Sequence, residues 1–447
     1  EMLEKMMDLT IDSETLEQGK ESRDSTSSKK KIERQIPPNK PKLTKAERRE
    51  LQEKQRAAKA SNAEPKKSEQ KSEGEKTPSS KDKDALHLPK DQSHVSESKV
   101  QQLFSHLTSP LKGRKVMENL PFSSIDIHPS VASLGEKFVS GKISGGNARA
   151  VALLSALRNF ISDYQVPTDK IMSWDLDKKL RPQIAFLIDC RPHSISMGKA
   201  IKFLRNCIAK IPPELPESKA KSHLMEEIDS FITERITIAG QLIAEKGMHK
   251  IRDSGEVILT FGYSSLVKQV LSEGRNLGKK FRLIVVDSRP NFEGKAMVDS
   301  MGEDQPDIEC SYVLISAISY IMREVTKVCL GAGALMANGV ALARTGTALI
   351  SMVAYHHRIP VMFCCETYKF SERVQLDSIV CNELGDPAEV LPKSEENSAL
   401  LHALNLRYDL TPMKYISLVV TEVGIIPPTS IPALIREMNR KEDTADR

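Results

Sequence analysis

Val257-Ile-Leu-Thr260 opens a change of period along the chain, and four more short apolar runs follow it: Phe281-Arg-Leu-Ile-Val-Val286, Tyr312-Val-Leu-Ile315, Lys327-Val-Cys-Leu330 and Pro360-Val-Met-Phe-Cys364. Helical patterns lie between them, as in Ser265 to Glu273 and Thr345 to His356. Runs this short, largely apolar and alternating with helices, predict buried strands in a Rossmann-like, doubly wound, mainly parallel sheet over residues 251–447. Ligands in such sheets sit at the carboxyl ends of the strands.

Upstream, over residues 99–250, the period is helical. Val100, Leu103, Phe104 and Leu107 begin it, and Ala148 to Ile161 continues it after the loop Gly141-Lys-Ile-Ser-Gly-Gly-Asn147. Ser194 to Ile208 and Leu224 to Ile243 read as further amphipathic helices, the second marked by Leu224, Ile228, Phe231, Ala239 and Leu242. An all-helical domain is therefore expected ahead of the sheet.

Residues 1–98 differ in kind. No Phe, Trp or Tyr precedes Phe104, and Lys, Glu, Ser, Asp and Gln dominate. Such a segment cannot bury enough apolar surface to offset chain entropy, which implies a disordered charged tail. Thr44 and Glu47 form a capping box ahead of a charged helical stretch that lacks an apolar face. Between Lys29 and Lys67 basic residues outnumber acids. RNA or an acidic partner could be touched there, but without interleaved aromatics a solvated charge run is the weightier reading.

The 447 residues carry a formal charge of only +5, too little to imply nucleic-acid binding by the chain as a whole. Seven cysteines, odd in number and without a CxxC pair, lie mostly in apolar runs, as reduced core thiols do. No apolar stretch approaches the roughly 18 residues that a bilayer span needs, and the first residues carry no apolar signal core. A soluble cytoplasmic protein without a membrane contact is expected. The chain begins at Glu1 rather than Met, as a trimmed or partial sequence would.

Several motifs fail on inspection. Five residues separate Gly135 from Gly141, and Ile143 stands where a phosphate loop needs Ser or Thr. Met336 replaces the third glycine of a dinucleotide fingerprint after Gly331-Ala-Gly333. Ser265-Leu-Val-Lys268 has no companion signature, so a helix start is preferred there. His356 and His357 are adjacent and point about 100 degrees apart on a helix, a poor arrangement for sharing a metal. No cofactor and no metal are expected.

Three segments in fixed order, Val257 to Ser265, Val285-Val-Asp-Ser-Arg-Pro-Asn-Phe-Glu-Gly294, and Gly331-Ala-Gly-Ala-Leu-Met-Ala-Asn-Gly339 through Arg344-Thr-Gly-Thr347, carry a resemblance. Arg191-Pro-His-Ser-Ile-Ser196, Tyr408-Asp-Leu-Thr-Pro412 and Val419 to Pro427 extend it. Together they resemble the family that unites methylthioribose-phosphate and ribose-bisphosphate isomerases with the regulatory subunits of translation initiation factor 2B. Cys364 to Phe370 with Glu372-Arg-Val-Gln375 resembles the regulatory branch.

The resemblance implies a precise chemical loss. Moving a proton between adjacent carbons requires a poised acid and base, and the isomerase branch carries a cysteine and an aspartate where this chain has Gly262 and Gly333. A vestigial sugar-phosphate site would comprise Gly262, Gly333, Arg289 and Arg344; the two arginines either hold a phosphate or, the weightier reading, form ion pairs at a subunit interface. There would be no catalytic residue.

By the same resemblance the chain would be a non-catalytic part of the guanine nucleotide exchange complex. Its partners would be the alpha, beta, gamma and epsilon subunits of initiation factor 2B and initiation factor 2, especially the alpha subunit of the latter. Glu234, Arg235 and Ile238 would help to sense phosphorylation of that alpha subunit, against an equally weighted reading in which Ile238 is core. An active aldose-ketose isomerase is the alternative function.

Overall fold

The computed structural model describes residues 103–108, 110–118, 127–391 and 403–445. The expectations of a disordered tail over 1–98 and of a charged helix after Thr44 lie outside those residues.

The helical half comprises α1 (Pro110–Glu118), α2 (Pro129–Val139), α3 (Gly146–Asp163), α4 (Met172–Cys190), α5 (Ile195–Ala209), α6 (Glu217–Ile232) and α7 (Ala239–Met248). Their apolar stripes meet in one core that includes Leu153, Leu157, Leu176, Leu180, Leu204 and Leu224. Polar side chains set two of the starts: His128 Nδ1 accepts from Ser130 N ahead of α2, and Ser194 Oγ accepts from Met197 N ahead of α5. Gly135, weighed as part of a phosphate loop, lies inside α2 against Phe186.

The helix expected from Leu224 to Ile243 is not a uniform α-helix. Between α6 and α7, Thr233–Ile238 forms a π-turn, in which Ala239 N donates to Glu234 O five residues back. Leu224, Ile228 and Phe231 belong to the helical core, whereas Ile243 and Ala244 belong to a core beneath the sheet. From Phe231 the next buried position is Ala239, eight residues on, where two α-turns would span about seven. The extra residue leaves Ile238 43% exposed and Ala239 2% exposed.

The sheet half follows the expected alternation: β1 (Glu256–Phe261), α8 (Ser265–Asn276), β2 (Phe281–Asp287), α9 (Glu293–Asp304), β3 (Cys310–Leu314), α10 (Ile318–Ile321), β4 (Lys327–Gly331), β5 (Ala334–Met336), β6 (Ala341–Arg344), α11 (Thr347–His356) and β7 (Val361–Cys364). Then come β8 (Phe370–Ser371), α12 (Pro387–Val390), β9 (Tyr408–Thr411), β10 (Leu418–Val420), β11 (Ile425–Ile426) and α13 (Ile431–Ala445). The seven-stranded sheet has the order β11-β10-β7-β4-β1-β2-β3 and is parallel except for β11. The expected α/β class with its doubly wound, mainly parallel sheet is borne out.

Alternate residues of each strand enter different cores. Leu259, Ile284, Val286 and Phe363 face one side, and Ile258, Leu283, Val285 and Met362 face the other. Because both faces are covered, the strands read as unbroken apolar runs rather than as alternating ones. A second, four-stranded sheet, β8-β5-β6-β9, follows directly from the end of β4.

β9 also supplies a cap from across the chain. Asp409 Oδ2 accepts from the backbone N–H groups of Gly346 (2.7 Å) and Ala348 (3.0 Å) at the start of α11. Burial pushes this carboxyl up to about 6, against the opposing pull of those two N–H groups. The folded chain therefore holds this proton more tightly than the unfolded chain, whose carboxyl keeps its ordinary value of 3.8. The stability this contributes is fully present below about pH 4 and is lost as pH rises through about 6, a swing on the order of 3 kcal/mol. Urea denaturation at pH 5 and pH 7 should show that part of the pH dependence disappearing in Asp409→Asn.

Candidate functional site

Strand order reverses between β1 and β4, and a crevice of about 550 Å³ opens at their carboxyl ends. Tyr263, Ser264, Gly331, Ala332, Gly333 and Cys364 form its sheet side. The helical half contributes Ser144 to Ala148, which enter α3, and Pro192 to Ile195, which enter α5. Gly145, at φ 85, is the N-cap of α3 and offers no side-chain oxygen, so the first N–H groups of that helix are left to other partners.

Buried charge runs along one side of this crevice. Arg149 on α3 is 1% exposed; its Nη2 donates to Pro192 O at 2.5 Å, and its guanidinium stands over Phe138 at 5.3 Å. Glu383 lies 3.5 Å from Arg149 Nη1 and accepts from Arg191 Nε at 2.6 Å, so one carboxylate serves two guanidiniums. Burial, then the charge of Arg191, holds Arg149 below its ordinary value, but a guanidinium remains charged in a protein. Burial, then Arg373 and Arg149, holds His193 below its usual range, which favours the neutral ring.

A second polar cluster joins α3 to the segment after β7. Asn147 Nδ2 donates to Glu366 Oε1 at 2.5 Å, Tyr368 OH donates to Asn147 Oδ1 at 2.5 Å, and Lys369 pairs with Glu366 at 2.7 Å. Across the crevice, Glu293 clamps Arg344 through Nε–Oε2 (3.0 Å) and Nη2–Oε1 (2.5 Å), and Arg344 also stands over Tyr408 at 5.4 Å. Arg149 Nε and Arg344 Nη1 are buried without hydrogen-bond partners.

The residues singled out in the sequence fall into two places. Gly333 and Arg344 line the crevice, while Gly262, Arg289 and Arg344 line an adjoining cavity of about 40 Å³; Glu293 lines both. Gly262 has φ 58, and a Cβ there would stand 3.9 Å from Glu293 Oε2. Arg344 makes its ion pair within the chain, and Arg289 is exposed with no ion pair among the described residues. Glu234, Arg235 and Ile238 lie elsewhere, on the π-turn, and all three are exposed.

Sequence reasoning missed Arg149, Glu383, Asn147 and Glu366. The loop Gly141 to Asn147 and the run Cys364 to Phe370 were visible signals, but nothing local tells that they meet. Five cysteines are buried, Cys310 is half-buried and Cys381 exposed; Cys329 and Cys364 bring their sulfurs to 3.9 Å as free thiols. Hydrogen bonding to Cys329, with burial, pushes the Cys364 thiol well up, which leaves it a poor nucleophile. Among the described residues no group of three or more His, Cys, Asp or Glu side chains is placed to hold a metal. None of them forms a helix long and apolar enough to cross a membrane.

The site defines a class: a doubly wound sheet under a helical roof, with a charge-lined crevice at the topological switch point. The profile of the Initiation factor 2 subunit family matches residues 142–428, and the chain belongs to that family. It is 44% identical over 362 residues to translation initiation factor eIF2B subunit delta of Schizosaccharomyces pombe, covering 77% of this chain and 75% of that one. It is 31% identical over 311 residues to ribose 1,5-bisphosphate isomerase of Pyrococcus furiosus, covering 69% and 93%. Among solved structures, a chain of the tetrameric eIF2B-beta2-delta2 complex from C. thermophilum aligns with a TM-score of 0.64 at 30% identity, over 72% of this chain and 97% of that chain.

Glu383→Gln should leave two guanidiniums without their shared counter-charge and cost about 3–5 kcal/mol. Chemical denaturation monitored by circular dichroism would measure this loss.

Proposed function

We propose that this chain is a non-catalytic regulatory subunit of the exchange factor for initiation factor 2. It would scaffold the complex formed with alpha, beta, gamma and epsilon subunits in the cytoplasm and sense phosphorylation of the alpha subunit of initiation factor 2. The observation that carries this reading is the pairing of two bare positions, Gly262 and Gly333, with an Arg344 already neutralised by Glu293. Neither glycine can give, take or hold a proton, so isomerisation lacks its acid and its base. The similarity to delta subunits and to a beta–delta complex supports assembly as the remaining role.

Exchange itself would reside in the epsilon subunit, and this chain would act through differential affinity. A scaffold that holds unphosphorylated initiation factor 2 productively and its phosphorylated form unproductively shifts the output between two states. Glu234, Arg235 and Ile238 are the proposed contact. An exposed carboxylate beside an exposed apolar side chain can discriminate a neighbouring phosphate by charge while retaining apolar contact.

The test is GDP release from initiation factor 2 by the reassembled complex. Glu234→Lys should weaken inhibition by the phosphorylated substrate about tenfold and leave basal exchange unchanged; full inhibition in this variant would reject the sensing face. The isomerase reading survives only on similarity to the archaeal isomerases. Purified chain incubated with ribose 1,5-bisphosphate should give no ketose signal by NMR, and turnover would restore that reading.

A further inference from the structure

Helix α6 and helix α7 are one continuous rod that serves two cores. Ala220, Leu224, Ile228 and Phe231 pack among the roof helices, whereas Ile243 and Ala244 pack with Leu266, Val267 and Val270 of α8 under the sheet. The π-turn lies at the handover and contains no buried residue. Such turns are rare and arise as one-residue expansions of an α-helix, frequently at functional sites.

Of the residues in the turn only Ile236, half-buried, packs against a core, that of the roof helices. If one residue were removed between Thr233 and Ile238, Phe231 and the present Ala239 would come to seven-residue spacing, which two α-turns satisfy. Both buried faces would keep nearly the same angular relation, and the remaining residues of the turn would become regular α-helix. The visible consequence of the extra residue is on the surface. Counting seven from Phe231 places Ile238 on the buried stripe; the turn instead leaves it 43% exposed, with Glu234 and Arg235 exposed beside it. Ile238 then lines a groove of about 590 Å³ with Leu242 and Glu245 of α7 and with Gln269, Ser272 and Glu273 of α8. The turn thus sits where the contact surface proposed above meets both cores.

We infer that the π-turn is a retained one-residue insertion whose role is to lift Ile238 out of the helix's buried stripe and present it, with Glu234, to the alpha subunit of initiation factor 2. This rests on the function proposed above for that face. It adds the device that makes the face, which the substitution of a surface residue alone does not test.

The experiment uses the full chain assembled with its sister subunits, in two series. In the first, Thr237 is deleted, which closes the turn; in the second, Ile238→Asp alters the face and keeps the turn. Assembly and thermal midpoint are measured together with inhibition of GDP release by phosphorylated initiation factor 2. The inference expects the deletion to assemble with an unchanged or higher midpoint and both variants to lose inhibition about tenfold. A deletion that unfolds the chain overturns the inference, because the cores would then need the turn. Full inhibition in the deletion, with loss in Ile238→Asp, overturns the inference and leaves the proposed contact standing. Loss in the deletion alone shows that the turn does not act through Ile238, which also overturns it. Full inhibition in both rejects the contact itself and the inference with it.

Discussion

A single rod from Glu217 to Met248 has to bury one stripe among helices and another beneath a sheet, and the rest of the molecule is arranged around that requirement. An α-helix turns by a constant angle, so the directions of its two stripes are tied to the number of residues between them. The π-turn at Thr233–Ile238 changes that count by one between the two stripes. Structure and surface are coupled at this point: of the six residues that set the phase of the helix, Ile236 alone packs, half-buried, against a core, and the other five are exposed.

The crevice shows a second kind of economy. Buried guanidiniums are tolerable only when their counter-charges are held in place, and here Glu383 serves Arg149 and Arg191 while Glu293 serves Arg344. These pairs join elements far apart in the chain: Arg149 on α3 meets a carboxylate more than two hundred positions later. The crevice occupies the position that ligands take in doubly wound sheets, with Gly333 in its wall and Gly262 in the small cavity beside it.

Much of the sheet was legible beforehand because both of its faces are covered. Most residues of such a strand must be apolar, and short, largely apolar runs such as Phe281 to Val286 stand out against helical spacing. The short strands Ala334–Met336 and Phe370–Ser371 were not legible, since three residues or two carry no period. The glycines and arginines of the crevice and its adjoining cavity could be picked out as Gly262, Gly333, Arg289 and Arg344. The buried Arg149 could not, because on the sequence it is one more charge on an amphipathic helix. Uniform helical counting likewise left Ile238 balanced between core and surface, and no local pattern announced the π-turn.

By itself, then, the order of residues determined the alternation of strand and helix, the apolar stripes and the glycines at positions 262 and 333. These are properties of composition and period, which act within a few neighbours along the chain. Only the tertiary structure decided which carboxylate neutralises which guanidinium, where α3 and α5 meet the sheet, and on which side of the helix Ile238 emerges. Each of these is a distance or an angle between segments brought together by burial, and a shift of one residue in the phase of a rod changes the answer without changing its amphipathic pattern.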